Sequence, residues 1–296
     1  MRIRASRAVG HLIVVPLLTA SLAGASGCGN KKETNDSAKT TDRARQVAAA
    51  WDGSTAAAVW RAGYRPMGQV IQLPRGGLRS EADKQAYRDR KFVLRGKMPV
   101  TWPKEGRVTW GGKGSLTRRL VGPHASFETL ADPPVGEETH LTVTGVKLGE
   151  MRLATSRGPA TAPAWLFALD GYASPLKMAA ALPSDLPRSP IGRAHDIPGY
   201  PINRLVKIAA DGRSVSVMAL HGVCEGPPVV DAVETGSSVV LSSSVKPHGA
   251  SGKCTDQAKM QLVTVTLKHP LDQRVLLDAI TGQPVPYKGL HTTSSR

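Results

Sequence analysis

Apolar and polar positions change rhythm several times along the chain. Behind Arg2, Arg4 and Arg7 an apolar run begins at Ala8 and turns small and polar from Ala23. Residues 28–40 carry Lys31, Lys32, Glu33, Asn35, Asp36 and Ser37 with no large apolar residue, so they predict a flexible tether that buries nothing. From Thr41 the alanine-rich stretch to Trp51 predicts a helix capped by Thr41 or Asp42. The break Asp52-Gly53-Ser54 then opens a second short helix, Thr55 to Arg61, stopped by Gly63. Val47, Trp51 and Trp60 are the expected core contacts of this helical segment.

Beyond Tyr64 the period shortens. Val70 to Leu73 is a brief apolar run closed by Pro74, Ser80 to Arg88 predicts a short helix, and Phe92-Val93-Leu94 is strand-like. Val108 and Trp110, then Leu116 and Leu120, flank Gly111-Gly112-Lys113-Gly114 and predict a hairpin. A second hairpin is expected with Lys147-Leu148-Gly149-Glu150 as its turn, between Leu141–Thr144 and Met151–Ala154. Pro163 to Leu169 is the most apolar stretch after residue 28 and predicts a central strand. Proline, serine and glycine then cluster from Pro183 to Pro201, the best domain boundary in the chain. Five or six short strands follow, with Val263-Thr264-Val265-Thr266 in strict alternation.

The expected fold class is mainly β with a short N-terminal helical segment (α+β), built as two small antiparallel β-rich domains of sandwich or barrel type. The divisions are 1–27, a lipoprotein signal peptide; 28–40, the tether; 41–182, an N-terminal α+β domain; 183–203, a Pro-rich linker; and 204–290, a C-terminal β domain.

The signal assignment rests on Ala25-Ser26-Gly27-Cys28, which reads as a lipobox behind a charged and then an apolar region. A spanning helix needs about 20 consecutive apolar residues; His11, Pro16, Thr19 and Ser21 interrupt this run. Cleavage before Cys28 leaves its thiol at the new N-terminus, ready for a diacylglyceryl group, and two acyl chains suffice for stable anchoring. The expected location is extracytoplasmic, on the outer face of the cell membrane.

Charge agrees with export. The chain has 39 Lys+Arg against 23 Asp+Glu, and loss of Arg2, Arg4 and Arg7 leaves 36 against 23. Outside the cytoplasm such a surface meets the membrane, anionic wall polymers and envelope proteins rather than nucleic acid. Cysteine count sharpens the compartment further. With Cys28 assigned to lipid, Cys224 and Cys254 remain, and an exported chain most simply pairs them, closing a loop of about 30 residues. Their spacing fits neither a C-x-x-C redox pair nor a zinc site.

Catalytic signatures are missing from the sequence. There is no G-x-S-x-G elbow, H-E-x-x-H, Walker or dinucleotide glycine pattern. Ser174-Pro175-Leu176-Lys177 matches S-x-x-K, but Pro175 argues against the required helix and no S-D-N or K-T-G follows. His195-Asp196 lies in the Pro-rich linker, and adjacent residues do not orient one another as base and carboxylate. The remaining histidines are scattered, and nothing selects among Glu128, Asp132, Glu137, Glu138 and Glu150 as a carboxylate pair. No catalytic residue, metal ligand or cofactor is therefore assigned.

Several segments nonetheless carry a resemblance. Ala50-Trp51-Asp52-Gly53-Ser54, Trp60-Arg61-Ala62-Gly63-Tyr64, Thr155-Ser156-Arg157-Gly158-Pro159-Ala160, Pro163-Ala164-Trp165-Leu166-Phe167, Gly222-Val223-Cys224-Glu225 and Leu277-Asp278-Ala279-Ile280-Thr281-Gly282 resemble those of uncharacterised lipoproteins of high-GC Gram-positive (actinobacterial) type. The resemblance implies export, lipid anchoring at Cys28, the cysteine pair and two extracytoplasmic modules, and brings no activity. The expected function is a non-enzymatic binding or scaffolding module of the cell envelope. The alternatives are a wall- or lipid-directed hydrolase without a recognisable motif and an accessory or sensor subunit of a membrane complex.

Overall fold

The computed structural model describes residues 30–112, 114–132, 139–245 and 257–287, with side chains from residue 36 onward. It is mainly β, with mixed and antiparallel sheets, one of them curled into a half-barrel.

Helix α1 (Asn30–Trp51) corrects the tether: residues 30–40 are helical rather than an open linker. No Gly or Pro interrupts Asn30 to Trp51, so once the downstream turns dock, propagation upstream costs little. Docking begins at Thr40. From there Thr40, Arg43, Ala44, Val47, Ala48 and Trp51 are buried, a stripe at helical spacing. Helix α2 (Thr55–Ala62) matches its expected caps, with Ser54 Oγ accepting from the Ala57 amide and Gly63 ending it.

The first module is a seven-stranded sheet. Its strands are β1 (Ile71–Gln72), β2 (Phe92–Leu94), β3 (Glu105–Thr109), β4 (Ser115–Arg119), β5 (Leu141–Thr155), β6 (Gly158–Leu169) and β7 (Leu176–Ala179). β6 lies against β5 along one edge and against β7 and β3 on the other, so the apolar run at 163–169 is the central strand it predicted. Helices α3 (Glu81–Arg88) and α4 (Pro123–Leu130) contribute Ala86 and Leu130 to its core.

The expected turn at 147–150 is corrected: β5 runs unbroken through it, and the chain reverses at Ser156-Arg157. The apolar register misleads because the hairpin exchanges its buried face midway. Near its open end Val146 pairs Phe167 and Leu148 pairs Trp165 on the core side; near its tip the core side is that of Met151 with Ala162 and Leu153 with Ala160. Gly149 sits at the exchange, where a Cβ would come within 2.5 Å of Leu166 Cδ1.

The second module stacks two three-stranded sheets. One orders β10 (Val229–Glu234), β11 (Ser238–Ser244) and β13 (Val275–Asp278); the other orders β12 (Ala258–Thr266), β9 (Ser214–Gly222) and β8 (Arg204–Ile208). Six strands fill the expected five or six, with β11 and β13 parallel. β11 is buried from Ser238 to Ser243 because α1 covers it: Ala44, Val47, Ala48 and Trp51 share one core with Val239, Val240 and Leu241. The two leading helices thus precede the first sheet in sequence but pack into the second module.

Between the cores the Pro-rich linker runs as a strap held by backbone bonds. Tyr64 and Ser184 exchange two bonds, at 2.7 and 2.9 Å, and the Arg118 guanidinium donates to the carbonyls of Leu182 and Pro183. Two buried guanidiniums finish the join. Arg43 donates to Ala279 O and Gly192 O; Arg65, 2% exposed, donates to Trp60 O and Asp185 O, closing the C-terminal end of α2. Burial, reinforced by Arg118 and opposed by Asp185, lowers the Arg65 guanidinium to about 10, so it stays cationic at neutral pH.

Candidate functional site

A cleft of about 1260 Å³ opens where the modules meet. Its first wall comes from hairpin tips: Trp110 and Gly111 follow β3, Arg157 lies in the β5–β6 turn, and Gly158 and Pro159 begin β6. Gly111 and Gly112 adopt φ of +48° and +81°, which a two-strand reversal needs and a side chain resists. Thr155 Oγ1 fixes Trp110 by accepting from its indole N–H at 2.9 Å, and the Arg157 guanidinium stacks on that ring at 3.9 Å while donating to Ala62 O.

The opposite wall is the β10–β11 turn, Thr235 to Ser237, and the loop Lys268 to Arg274. Two carboxylates organise it. Asp52, just past α1, accepts from the hydroxyls of Thr235, Ser237 and Ser238 at 3.2, 2.5 and 3.0 Å. Glu234 accepts from the Lys268 and His269 amides and from Arg274 Nη1 at 2.9 Å. Arg274 in turn donates to the carbonyls of Thr235, His269 and Pro270. Burial opposes the Glu234 charge, but the Lys268 amide, Arg274 and the His269 amide outweigh it and hold the carboxyl below its ordinary value.

Lys268 and His269 are both exposed on this braced loop, with His269 Nδ1 4.0 Å from Glu234 Oε2, and Arg61 in the last turn of α2 lines the same cleft. Arg61 and Lys268 are not ion-paired among the described residues. Asp272, on the same loop, holds a left-handed φ of +42°. The cleft is therefore cationic, with an aromatic flank and preset walls. The hydroxyls of Thr235 and Ser237, which line it, are both held on the Asp52 carboxylate.

Comparison with protein-family models, curated proteins and solved structures finds no match. The chemistry of the cleft has to speak for itself.

Apart from His269, none of the residues weighed in sequence as a catalytic, lipid, disulfide or metal site lines this cleft. Cys28 and Cys254 lie outside the described residues, as do Glu137, Glu138, His248 and His291; Cys224 lies in the turn after β9. Ser174 and Lys177 border one hollow elsewhere, but Ser174 Oγ accepts from the Arg75 amide and Lys177 Nζ reaches Glu150 O, so the S-x-x-K pair is not joined. His195 and Asp196 are exposed on the strap. Among the described residues no group of His, Cys, Asp or Glu is arranged to hold a metal ion. Two of the segments quoted for the resemblance line the cleft, through Arg61 and through Arg157 to Pro159, and a third braces it through Asp52. Trp51 Nε1 donates to Gly282 O at 2.8 Å, Asp52 braces the 235–238 turn, and Arg157 reaches Ala62.

Proposed function

We propose that the protein is an extracytoplasmic lipoprotein, acylated on Cys28 at the outer face of the cell membrane, that binds an anionic envelope ligand in the inter-module cleft without turning it over. The observation that carries the binding role is the pairing of Arg61 and Lys268, exposed and not ion-paired among the described residues, across a cleft whose walls are already braced. Preset walls spare the ordering cost of binding, and converging cations favour phosphate-rich wall polymers.

Only Gly29 separates Cys28 from the first residue of α1. The lipid would thus pass directly into α1, whose residues 30–39 span about 15 Å at 1.5 Å per residue before docking begins at Thr40, a stalk rather than a loose leash. Cys28→Ser is expected to abolish partition of the protein into detergent and membranes; a variant recovered in the lipid-modified form would remove the anchor from the proposal.

The Cys224–Cys254 bond belongs to the same reading. β9 and β12 are antiparallel, and the Val223 amide donates to Gln257 O at 3.1 Å, which leaves two intervening residues between that point and Cys254. Alkylation of the unreduced protein, followed by mass spectrometry, should find neither Cys224 nor Cys254 modified.

The cleft is tested with the full-length acylated protein in lipid nanodiscs. Polyglycerol phosphate should bind and neutral dextran should not, and binding should weaken as salt rises. Arg61→Glu with Lys268→Glu should reduce affinity by at least about tenfold. Unchanged affinity would overturn the cleft assignment. Turnover of ester, peptide or wall substrates would replace it with the hydrolase reading, and retention of one envelope protein through the same residues with the accessory-subunit reading.

A further inference from the structure

The face exchange in the β5–β6 hairpin puts Lys147 and Leu166 on the outer face of its open end, opposite Val146 and Leu148. Lys147, Leu166, Lys177 and Gln72 form one row across β5, β6, β7 and β1 on that surface. Next to the row lie Gly145 and Ala168 on one side and Gly149, Ala164 and Ala179 on the other, so the sheet is low around Leu166. Leu166 leans over Gly149 instead of standing in solvent. Leu73, Tyr172 and Pro175 wall the result into a hollow of about 770 Å³, within the size range of small-molecule pockets, about 300–1,000 Å³.

Its rim is cationic. Arg75, Lys147 and Lys177 border the hollow, no carboxylate lines it, and none of the three is in an ion pair among the described residues. A second hollow of about 350 Å³ shares Arg75, Tyr172 and Ser174 and adds Arg79, stacked on the Tyr172 ring at 4.7 Å. The nearby acid, Asp83, is occupied by the Tyr172 hydroxyl at 2.5 Å. Ser174 Oγ accepts from the Arg75 amide and so fixes the backbone that carries that cation.

We infer that this hollow is a second binding site, distinct from the cleft, for a single-chain anionic amphiphile. The acyl chain lies on Leu166, Ala168 and Leu73, and a phosphate or carboxylate head meets Arg75, Lys147 and Lys177. An apolar floor distinguishes the site from one for inorganic anions, whose hydration it does not replace. A concave wall distinguishes it from a docking surface for a planar bilayer. Three like charges gathered over apolar surface repel one another until an anion arrives.

The test uses the full-length protein in zwitterionic nanodiscs, with empty nanodiscs subtracted, and octyl phosphate as the probe, short enough to remain largely in water. Titration calorimetry should give saturable binding of one octyl phosphate per chain, at least about tenfold tighter than octyl glucoside or inorganic phosphate. Lys147→Glu with Lys177→Glu should weaken it by at least about tenfold, and Leu166→Ser should weaken octyl phosphate without creating affinity for phosphate. Lys147 is exposed and Lys177 partly so, and an unchanged melting temperature certifies the fold. Equal binding of octyl glucoside or of inorganic phosphate overturns the inference. So does octyl phosphate binding that survives Lys147→Glu with Lys177→Glu but falls with Arg61→Glu and Lys268→Glu, an outcome that leaves the cleft reading intact.

Discussion

Trp51→Ala is expected to lower the unfolding free energy of the second module by about 4 kcal/mol, the cost of emptying an aromatic site in a core that cannot collapse around it. Trp51 is 0% exposed and packs where α1 ends, between the helix and the sheet of β10, β11 and β13. Its indole N–H donates to Gly282 O, but that carbonyl also accepts from Ser189 Oγ at 2.7 Å, so the bond is the smaller share of the loss. Trp51→Phe therefore keeps most of the volume and should cost only about 1–2 kcal/mol. Urea unfolding followed by hydrogen exchange measures both. The amides of β11 should lose protection ahead of those of β6, because the two strands belong to separate cores. A Trp51→Ala change below about 1 kcal/mol, or equal loss in β6, would mean that α1 is not structurally part of the second module.

That packing bears on what the residues reveal before any coordinates. The stripe Val47, Trp51 and Trp60 was legible because helical spacing and Ala-rich composition agree, and Gly53 and Gly63 mark the ends. The partner of the stripe was not. Position in sequence puts α1 beside the first sheet, and only burial of β11 on both faces reveals the choice. The upstream half of α1 was hidden for a different reason: a helix extended from a docked turn needs no apolar residue of its own. β5 misled because period-two patterning assumes one buried face, and this hairpin uses both. α4, with eight residues and no side-chain cap, carries too little local signal.

The cleft was illegible for a stronger reason. Arg61, Arg157, Lys268 and Arg274 sit on three separate elements or loops, at no motif spacing, and each alone looks like part of a solvated basic surface. What gathers them is a set of backbone-directed bonds: Arg157 to Ala62 O, Arg65 to Trp60 O, and the Glu234 carboxylate to the amides of the 268–269 loop. The hairpin glycines 111 and 112 were the one visible cue, since they announced a tip without saying what it faced.

Glu234 supplies the second large effect. Its side chain and that of Arg274 are each 9% exposed, so Glu234→Ala strands a buried guanidinium and two amides, and is expected to cost about 3 kcal/mol at neutral pH. The pH dependence has a definite sign. The folded-state carboxyl lies below its ordinary value of 4.5, so its stabilisation is present above that value and fades as pH falls through the folded one. The gap between the native protein and Glu234→Ala should accordingly narrow in acid. Glu234→Gln, which keeps the shape and never ionises, should be destabilised at neutral pH and converge on the native protein once pH falls below the folded-state value. Anionic-polymer binding should fall with either variant even where Lys268 is intact, because the loop that presents Lys268 has lost its brace. A gap that instead stays constant across this range would locate the brace in the bonds from Arg274 to the carbonyls of Thr235, His269 and Pro270, with the carboxylate serving only as filler.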